Sequence, residues 1–401
     1  MTDLYQLKRT PFHERTSRLS LPQNWRRWAG HIAVGSYDLG LEREYWAIRN
    51  HAALIYVSPL MKYLIEGPDA ARLLDRITPR NIHKMVVGQV CYTGWCDDEG
   101  KLLDDGTVTR LGEQSFRLTS AEPSLRWLHM NAVGLQVAIT ERTDQMAALS
   151  LQGPKSRAVL NRCCESSVDG LKFFRMAPNR LAGTPVTISR TGYTGDLGYE
   201  IWMDAADALP AWDALIAAGD DYGITPCGIL AMDMARVEAG LFMLDVDYTA
   251  ATHAWIAGQK SSPYEMGLGW TINLDKPGYF VGRRALEREA REGSAWKMVG
   301  LEVDWEGLER VYAAVGLPPQ IPAMAVRASL PVMKDGRQVG YASTSTWSPV
   351  LKKYIALVHL QRPHYAPGTR VNLEITVEHH RRDAPGTVVA LPFYEPEWKR
   401  K

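Results

Sequence analysis

The sequence predicts a multidomain α+β protein, and three observations support this fold class. Its 401 residues suffice for two or three domains, since a domain typically contains about 100–200 residues. Strand-like runs and helices alternate irregularly over residues 40–290, unlike the regular alternation of a dinucleotide-binding fold. From about Lys297 onward, short strands are separated by Gly and Pro turns, a pattern typical of a small β-barrel.

We divide the chain into three regions, residues 1–143, 144–292 and 293–401. The first region begins with aromatic-rich turns. Its later part is typical of an α+β layer: polar and apolar residues alternate over 62–66, which predicts a strand, and a Gly-Pro-Asp turn follows before a helix. Its predicted helices span 41–50, 70–77 and 124–132, and its predicted strands span 62–66, 90–95, 102–110, 116–120 and 135–140.

The second region mixes strands and helices around a glycine-rich loop, whereas the third contains only short strands. A proline at the entry of the first helix of the second region supports that helix, because proline is favoured in the first helical turn. Predicted strands of the second region span 146–151, 186–190 and 199–203, and its helices span 155–163, 205–219 and 228–240. Predicted strands of the third region span 298–303, 325–332, 338–345, 354–358, 370–377 and 386–391.

Composition argues against several classes of partner. The chain has 46 Lys and Arg against 45 Asp and Glu, so it lacks the basic field that attracts nucleic acid. No run of about 18 apolar residues could cross a membrane, and the polar first residues do not resemble a secretory signal. We therefore expect a cytoplasmic protein that binds small molecules, without nucleic-acid or membrane partners. The sequence leaves the oligomeric state open.

No metal site is expected either. The five cysteines have neither zinc-site nor disulfide-framework spacing. His379 and His380 are adjacent on a predicted strand and should therefore point to opposite faces. We interpret the cysteines as reduced thiols.

A glycine-rich loop, Thr191–Glu200, is the first segment with functional potential. It reads Thr-Gly-Tyr-Thr-Gly-Asp-Leu-Gly-Tyr-Glu, and its glycines recur every third residue, unlike the dinucleotide-binding fingerprint. One interpretation is a β-hairpin loop whose glycines supply positive φ angles. The other is a ligand loop, in which glycines let the backbone approach a flat ligand while Tyr193 and Glu200 point at it.

Two adjacent carboxylates, Asp104 and Asp105, form the second candidate. They lie in a predicted strand, so their side chains should point to opposite faces and one should point inward. A buried carboxylate can hold a ligand nitrogen or exchange a proton with it. A turn with two solvated acids is the alternative.

Taken in chain order, these segments resemble the aminomethyltransferase family, the T-protein of the glycine cleavage system and its relatives. The most specific piece is Arg190–Glu200, and the resemblance covers roughly residues 40–395. Other matching pieces are Gly67-Pro68-Asp69-Ala70, Gly88-Gln89-Val90-Cys91-Tyr92, residues 100–105, Leu151-Gln152-Gly153-Pro154, Arg236-Val237-Glu238-Ala239-Gly240, Phe280-Val281-Gly282-Arg283 and Leu391-Pro392-Phe393-Tyr394.

The resemblance implies a three-domain ring, two α/β layers plus a small C-terminal β-barrel, with tetrahydrofolate in the central hole. It implies one-carbon chemistry at folate N5, with 5-methyl- or 5,10-methylene-tetrahydrofolate as product or donor. The family's essential aspartate corresponds to Asp105, and its folate contacts correspond to Tyr92, Tyr193 and Glu200. A pterin ring offers a flat face for aromatic contacts and an edge that a carboxylate can hold by paired hydrogen bonds.

Departures from the family pattern suggest a different substrate. Aminomethyl-transferring members have aspartate at the position of Tyr56 and a folate-contacting arginine at the position of Met232. We expect Tyr56 to be a catalytic hydrogen-bond donor to the substrate or leaving group, with a packed core aromatic as the alternative. We also assign Met232 and Trp95 to the substrate pocket, although Met232 could instead replace a folate contact.

The sequence therefore predicts a tetrahydrofolate-dependent methyltransferase that acts on a small O-, N- or S-methylated substrate and needs no lipoyl carrier. Two alternatives of the same class are an aminomethyltransferase and a biosynthetic folate-dependent methyltransferase. A third alternative is a non-catalytic folate-binding assembly factor.

Overall fold

The computed structural model describes residues 7–400 and confirms the α+β fold class. The helices in this part of the chain are α1 His13–Leu19, α2 Glu42–Asn50, α3 Ala70–Ile77, α4 Leu125–Asn131, α5 Ser156–Cys163, α6 Ala208–Gly219, α7 Ile229–Glu238, α8 Arg283–Glu292 and α9 Trp305–Ala313. The strands divide among a small N-terminal sheet, two larger sheets and a closed barrel.

The first sheet has five strands in the order β6-β7-β8-β5-β9. These strands are β5 Met61–Glu66, β6 Val90–Cys96, β7 Leu102–Arg110, β8 Ser115–Ser120 and β9 Ala138–Glu141. One face is apolar: Tyr63, Val108 and Leu118 belong to a core cluster that also contains residues of α3 and α4. The other face is polar. Tyr92 pairs with Thr107 and Thr107 pairs with Thr119, and residues paired across strands share a face.

The second sheet has six strands in the order β11-β12-β13-β10-β4-β14. These strands are β4 Ala52–Tyr56, β10 Met146–Gln152, β11 Met176–Leu181, β12 Thr184–Ser189, β13 Gly198–Asp204 and β14 Ile224–Pro226. β12 and β13 are antiparallel neighbours on either side of the glycine-rich loop, as the hairpin interpretation requires. Helices α5 and α6 contribute to the core cluster on the outer face of this sheet.

The N-terminal region, residues 1–143, contributes one strand to the second sheet. β4 lies in the second sheet, between β10 and β14. The expected N-terminal turns form a small sheet with the order β1-β3-β2, which shares a core with the second sheet. Its strands are β1 Lys8–Arg9, β2 Asn24–Trp28 and β3 His31–Ser36. The sequence did not reveal β4 because its five residues are all buried, so the strand lacks the alternation that marks a half-buried strand.

The C-terminal strands close into a six-stranded barrel in the order β15-β18-β17-β16-β19-β20, as predicted. Its strands are β15 Trp296–Val303, β16 Leu330–Lys334, β17 Arg337–Ser348, β18 Lys353–Gln361, β19 Arg370–Val377 and β20 His380–Val389. Two details differ from expectation. Helix α9 follows β15, and β16 begins at Leu330 because Val326 makes only an isolated bridge to Ser345.

The expectation for His379 and His380 was also wrong. Glu378, with φ of 54°, makes a hairpin turn between β19 and β20, and the centroids of the two imidazole rings lie 3.9 Å apart. No third ligand joins them: residues 7–400 contain no group of three His, Cys, Asp or Glu side chains arranged to hold a metal ion.

A buried ion pair joins the layers. The Arg49 Nε on α2 donates to Glu238 Oε2 on α7 at 3.0 Å, and Arg49 Nη1 donates to the Thr194 carbonyl at 2.9 Å. The second Glu238 oxygen accepts hydrogen bonds from Tyr45 Oη at 2.6 Å and from Ser348 Oγ of the barrel. Both helices, the glycine-rich loop and the barrel therefore meet at one carboxylate–guanidinium pair.

Arg49→Met should destabilise the protein by about 3–5 kcal/mol, because it leaves Glu238 buried without its cation. Chemical denaturation would measure this loss. Arg43→Met is the matched control, because the Arg43–Asp38 pair is largely exposed and such pairs contribute about 0–1 kcal/mol. Equal losses for the two variants would show that the buried pair does not hold the layers together.

Candidate active site

Asp105 is at the centre of the candidate site, on the polar face of the first sheet. Tyr92 Oη donates a hydrogen bond to Asp105 Oδ2 at 2.8 Å. Tyr248 Oη, from the long segment after α7, donates to Asp105 Oδ1. Two phenols from distant parts of the chain therefore fix both carboxylate oxygens.

The two phenols also set the protonation behaviour of Asp105. Burial raises the pKa of the Asp105 carboxyl, while the hydrogen bonds from Tyr248 and Tyr92 oppose that rise. Burial and the neighbouring carboxylate hold the pKa values of both phenols well above the usual value, so both stay protonated donors. Asp105 is therefore a positioned carboxylate that binds a proton more readily than a solvated one.

Asp104 lies on the opposite face of the strand and has a different task. Its Oδ1 accepts the backbone N–H of Asp105 at 2.7 Å, and its Oδ2 accepts that of Glu122 at 3.0 Å. Asp104 is almost fully buried, and burial with the nearby Asp105 charge raises its pKa well above the usual value. The strand alternation that we predicted holds, and Asp104 is a buried structural acid that fixes the loop after β8.

Tyr193 and Glu200 approach from the second sheet. Tyr193 Oη donates to the Phe242 carbonyl at the start of the long segment, which fixes the ring beside the Met232 cluster. Glu200 Oε2 accepts a hydrogen bond from Thr191 Oγ1 at 2.6 Å. Its Oε1 has no hydrogen-bond partner among residues 7–400, and burial raises the pKa of this carboxyl. Glu200 is thus a partly buried carboxylate with one oxygen available to accept a hydrogen bond.

Two domain models of one family match nearly the whole chain. The GCVT N-terminal domain matches residues 9–276, and the glycine cleavage T-protein C-terminal barrel domain matches residues 313–395. The chain belongs to the glycine cleavage T-protein family. Members of this family are tetrahydrofolate-dependent transferases.

Individual relatives agree with this membership of the T-protein family. The trimethylamine-oxide aldolase of Ruegeria pomeroyi is 35% identical over 98% of this chain, which spans about half (48%) of that relative's length. An aminomethyltransferase of Halothermothrix orenii is 33% identical over 87% of this chain and 90% of its own. The crystal structure of glycine cleavage system aminomethyltransferase T from Bartonella henselae covers 97% of this chain and 99% of its own at 24% identity, with a TM-score of 0.82. This likeness confirms the three-domain fold.

Tyr56 does not lie with the other T-protein site residues. It belongs to the core on the outer face of the second sheet, and its hydroxyl accepts the backbone N–H of Val34. Burial raises its pKa. The position therefore favours the packed aromatic, and the expected catalytic contact has no support in the structure. Alternation along β4 explains this placement, because Ile55 and Val57 face the inner cluster instead.

Trp95 likewise lies away from the site, whereas Met232 lies near it. Trp95 is 1% exposed and packs in the core of the first sheet, on the face opposite Tyr92. The three-residue separation of Tyr92 and Trp95 on one strand explains this, and it corrects our assignment of Trp95 to the substrate pocket. Met232 is buried in a cluster with Trp202 and against Tyr193.

Sequence reasoning missed two residues of this site. Tyr248 lies in the segment between α7 and α8, 143 positions from its partner Asp105. Arg117 is on the inner face of β8, because it pairs with Thr109, which shares the face of Asp105. An arginine between Phe116 and Leu118 in a predicted strand was the available signal for Arg117. No pattern in the sequence links Tyr248 to Asp105.

The described residues contain no helix long and apolar enough to cross a membrane.

Glu200→Ala should weaken tetrahydrofolate binding by about 1.5–3 kcal/mol, the range for a hydrogen bond to a charged group. Isothermal titration calorimetry would measure it. Glu141→Ala is the control, because Glu141 is exposed on β9 at the far edge of the first sheet. Unchanged affinity in a folded Glu200→Ala protein would remove Glu200 from the folate site.

Proposed function

We propose that this protein is a tetrahydrofolate-dependent one-carbon transferase that moves a methyl group between a small methylated substrate and folate N5. One observation carries the proposal: a carboxylate held by two phenols, Asp105 with Tyr92 and Tyr248, on the polar face between the sheets. Proton exchange at a nitrogen needs a positioned acid or base of this kind.

The residues present fit a bound pterin. Glu200 offers an acceptor oxygen without a partner in the described chain, which suits the paired N–H donors of the pterin edge. Tyr92 and Tyr193 offer aromatic surface beside Asp105, and Tyr92 itself stacks on Trp270 with centroids 6.0 Å apart. Tetrahydrofolate, when bound, supplies the nucleophilic nitrogen that accepts the one-carbon unit.

Asp105 would manage the proton. Because its pKa is raised, the Asp105 carboxylate can accept a proton, and the resulting carboxylic acid can then donate a hydrogen bond. Tyr92 and Tyr248 would hold the carboxylate in place while its charge changes, because each donates to a different oxygen. The site would also hold the two reactants close together, which lowers the entropic part of the activation barrier.

The relative from Ruegeria pomeroyi, named for trimethylamine oxide, supports a methylated amine as the substrate class. Met232 and Trp202 belong to one apolar cluster, which offers a surface against which the methyl groups of such a substrate can pack. That relative's name also favours a second candidate function. An aldolase releases an aldehyde, so this chain could instead capture a one-carbon aldehyde, with 5,10-methylene-tetrahydrofolate as the product.

The oxidation level of the product separates the two candidates. The protein is incubated with tetrahydrofolate and, in turn, methylated amines, sulfonium compounds, methoxyarenes and formaldehyde, and the folate products are resolved by chromatography. 5-Methyl-tetrahydrofolate from a methylated donor supports the proposal. Enzyme-dependent 5,10-methylene-tetrahydrofolate from formaldehyde alone supports the second candidate. Folate binding without turnover of any donor would indicate a non-catalytic folate-binding protein.

Asp105→Asn should lower turnover by about 10²–10⁴-fold, the usual contribution of general acid–base catalysis. Folate affinity should change far less, because the amide oxygen still accepts a hydrogen bond. Steady-state kinetics with the active donor would measure both. Turnover within about threefold of wild type would exclude the proton role of Asp105.

Asp98→Asn is the appropriate control, because Asp98 is exposed in the turn between β6 and β7. Asp104→Asn is less suitable, since the buried Asp104 carboxylate holds two backbone N–H groups and an amide would face one of them with its own donor. That variant should lose about 1–3 kcal/mol of stability.

The protein should not support glycine cleavage with an aminomethylated lipoyl carrier, although other family members do. Met232 stands where those members have an arginine, and its thioether cannot make the charge-assisted hydrogen bonds that a guanidinium makes at this position. Ammonia release would be compared with that of an aminomethyltransferase in the same assay. Similar rates would overturn our preference for a free methylated substrate.

A further inference from the structure

Arg117 is a buried cation that the protein leaves without a partner. Its side chain comes from the inner face of β8 and is 4% exposed. The guanidinium lies over the Trp202 ring at 3.9 Å from the centroid, which joins the two sheets. Its Nε is fully buried and has no hydrogen-bond partner within residues 7–400. A guanidinium has five donors, so a single aromatic face leaves it largely unsatisfied.

Trp202, which contacts Arg117, also has a donor without an acceptor among the described residues. Its side chain is 3% exposed, and its Nε1 donor is also buried without a partner in the described chain. A buried donor without a hydrogen bond costs about 1–3 kcal/mol of stability. Native proteins rarely have two such donors side by side. Two neighbouring orphan donors indicate that an acceptor group belongs between the sheets here.

The surrounding charges show what kind of acceptor fits. Glu200 is two residues from Trp202 on β13 and on the same face, near enough for its charge to act on Arg117. No ion pair within 4.0 Å joins Arg117 to Glu200 or to another acid in the described chain. Lys62, a second buried cation that is near enough for Arg117 to lower its pKa, donates instead to the carbonyls of Ser58 and Leu60. The Glu200 carboxylate and the Arg117 guanidinium are thus near each other but form no ion pair.

We infer that Arg117 is a folate-binding residue that donates hydrogen bonds to the C4 carbonyl oxygen of the pterin, beside the edge held by Glu200. This inference rests on the proposed function and adds a contact to it. The pterin edge presents an amino group, a ring N–H and then a carbonyl oxygen. Glu200 accepts only, and Arg117 donates only, so the two side chains match that order of donors and acceptor.

The inference also accounts for Met232. Met232 shares its cluster with Trp202, the residue on which Arg117 lies. A guanidinium that enters from the first sheet can therefore serve the same space as one from α7, and Met232 can remain apolar.

A matched ligand pair tests this contact. Folic acid and its 4-amino analogue aminopterin share the side chain, but aminopterin has an amino donor in place of the C4 oxygen and lacks the N3 hydrogen that Glu200 would accept. The change in the affinity ratio between wild type and the Arg117 variants therefore isolates the contribution of Arg117. Dissociation constants of both would be measured by calorimetry for wild type, Arg117→Met, Arg117→Lys and the exposed control Arg126→Met. Wild type should prefer folic acid by about tenfold or more, the value of one hydrogen bond to a charged group.

In Arg117→Met the ratio of the two dissociation constants should fall about tenfold. Arg117→Lys should have an intermediate ratio, and Arg126→Met should keep the wild-type ratio. The melting temperature of ligand-free Arg117→Met should not fall, because the variant removes an unsatisfied buried charge. The contact is refuted if Arg117→Met retains the wild-type ratio, or weakens both ligands equally. Lower melting temperatures of both Arg117 variants with an unchanged ratio would assign Arg117 a structural role. Wild type that binds neither ligand and also fails to bind tetrahydrofolate would refute the proposed function itself.

Discussion

The fold depends on the buried pair between Arg49 and Glu238. Arg49 contacts Glu238, the Thr194 carbonyl and Asp196, so α2, α7 and the glycine-rich loop are fixed to one guanidinium. Glu238 in turn accepts a hydrogen bond from Ser348, which brings the barrel against α7. An uncompensated charge at this depth would cost several kcal/mol, so the three domains have little freedom to separate. The site between them inherits that rigidity.

This constraint reaches Asp105 through the segment after α7. Arg236, two residues before Glu238, holds Asp247 in a buried ion pair, and Tyr248 follows directly and donates to Asp105. The barrel fixes the same turn, because Ser343 donates to the Asp247 carboxylate at 2.6 Å. The position of the Asp105 carboxylate is therefore determined by α7 and the barrel as much as by its own strand. A carboxylate fixed in this way loses little entropy when it binds a ligand.

Local patterns in the sequence predicted the local part of this arrangement. Alternation along β7 correctly separated Asp104 from Asp105, and Gly and Pro turns marked the barrel. Alternation applied to β6 would also have placed Trp95 opposite Tyr92. What the local patterns could not predict is which distant segments contact each other. β4 is buried on both faces, so nothing in its five residues shows which sheet it joins. Tyr248 and Asp105 are 143 positions apart, and only the folded chain brings them together.

Two buried arginines show how structural and functional charges differ in this protein. Arg236 Nε donates to Asp233 at 2.8 Å, its Nη2 donates to Thr344 at 3.0 Å, and its Nη1 contacts Asp247. The same fold leaves Arg117 with a tryptophan ring and no hydrogen-bond acceptor among the residues described. A chain that can satisfy one guanidinium so fully has the means to satisfy another. The missing hydrogen bonds of Arg117 therefore indicate a group that arrives from outside the chain. Glu200, whose charge acts on Arg117, has an acceptor oxygen without a hydrogen-bond partner among the described residues.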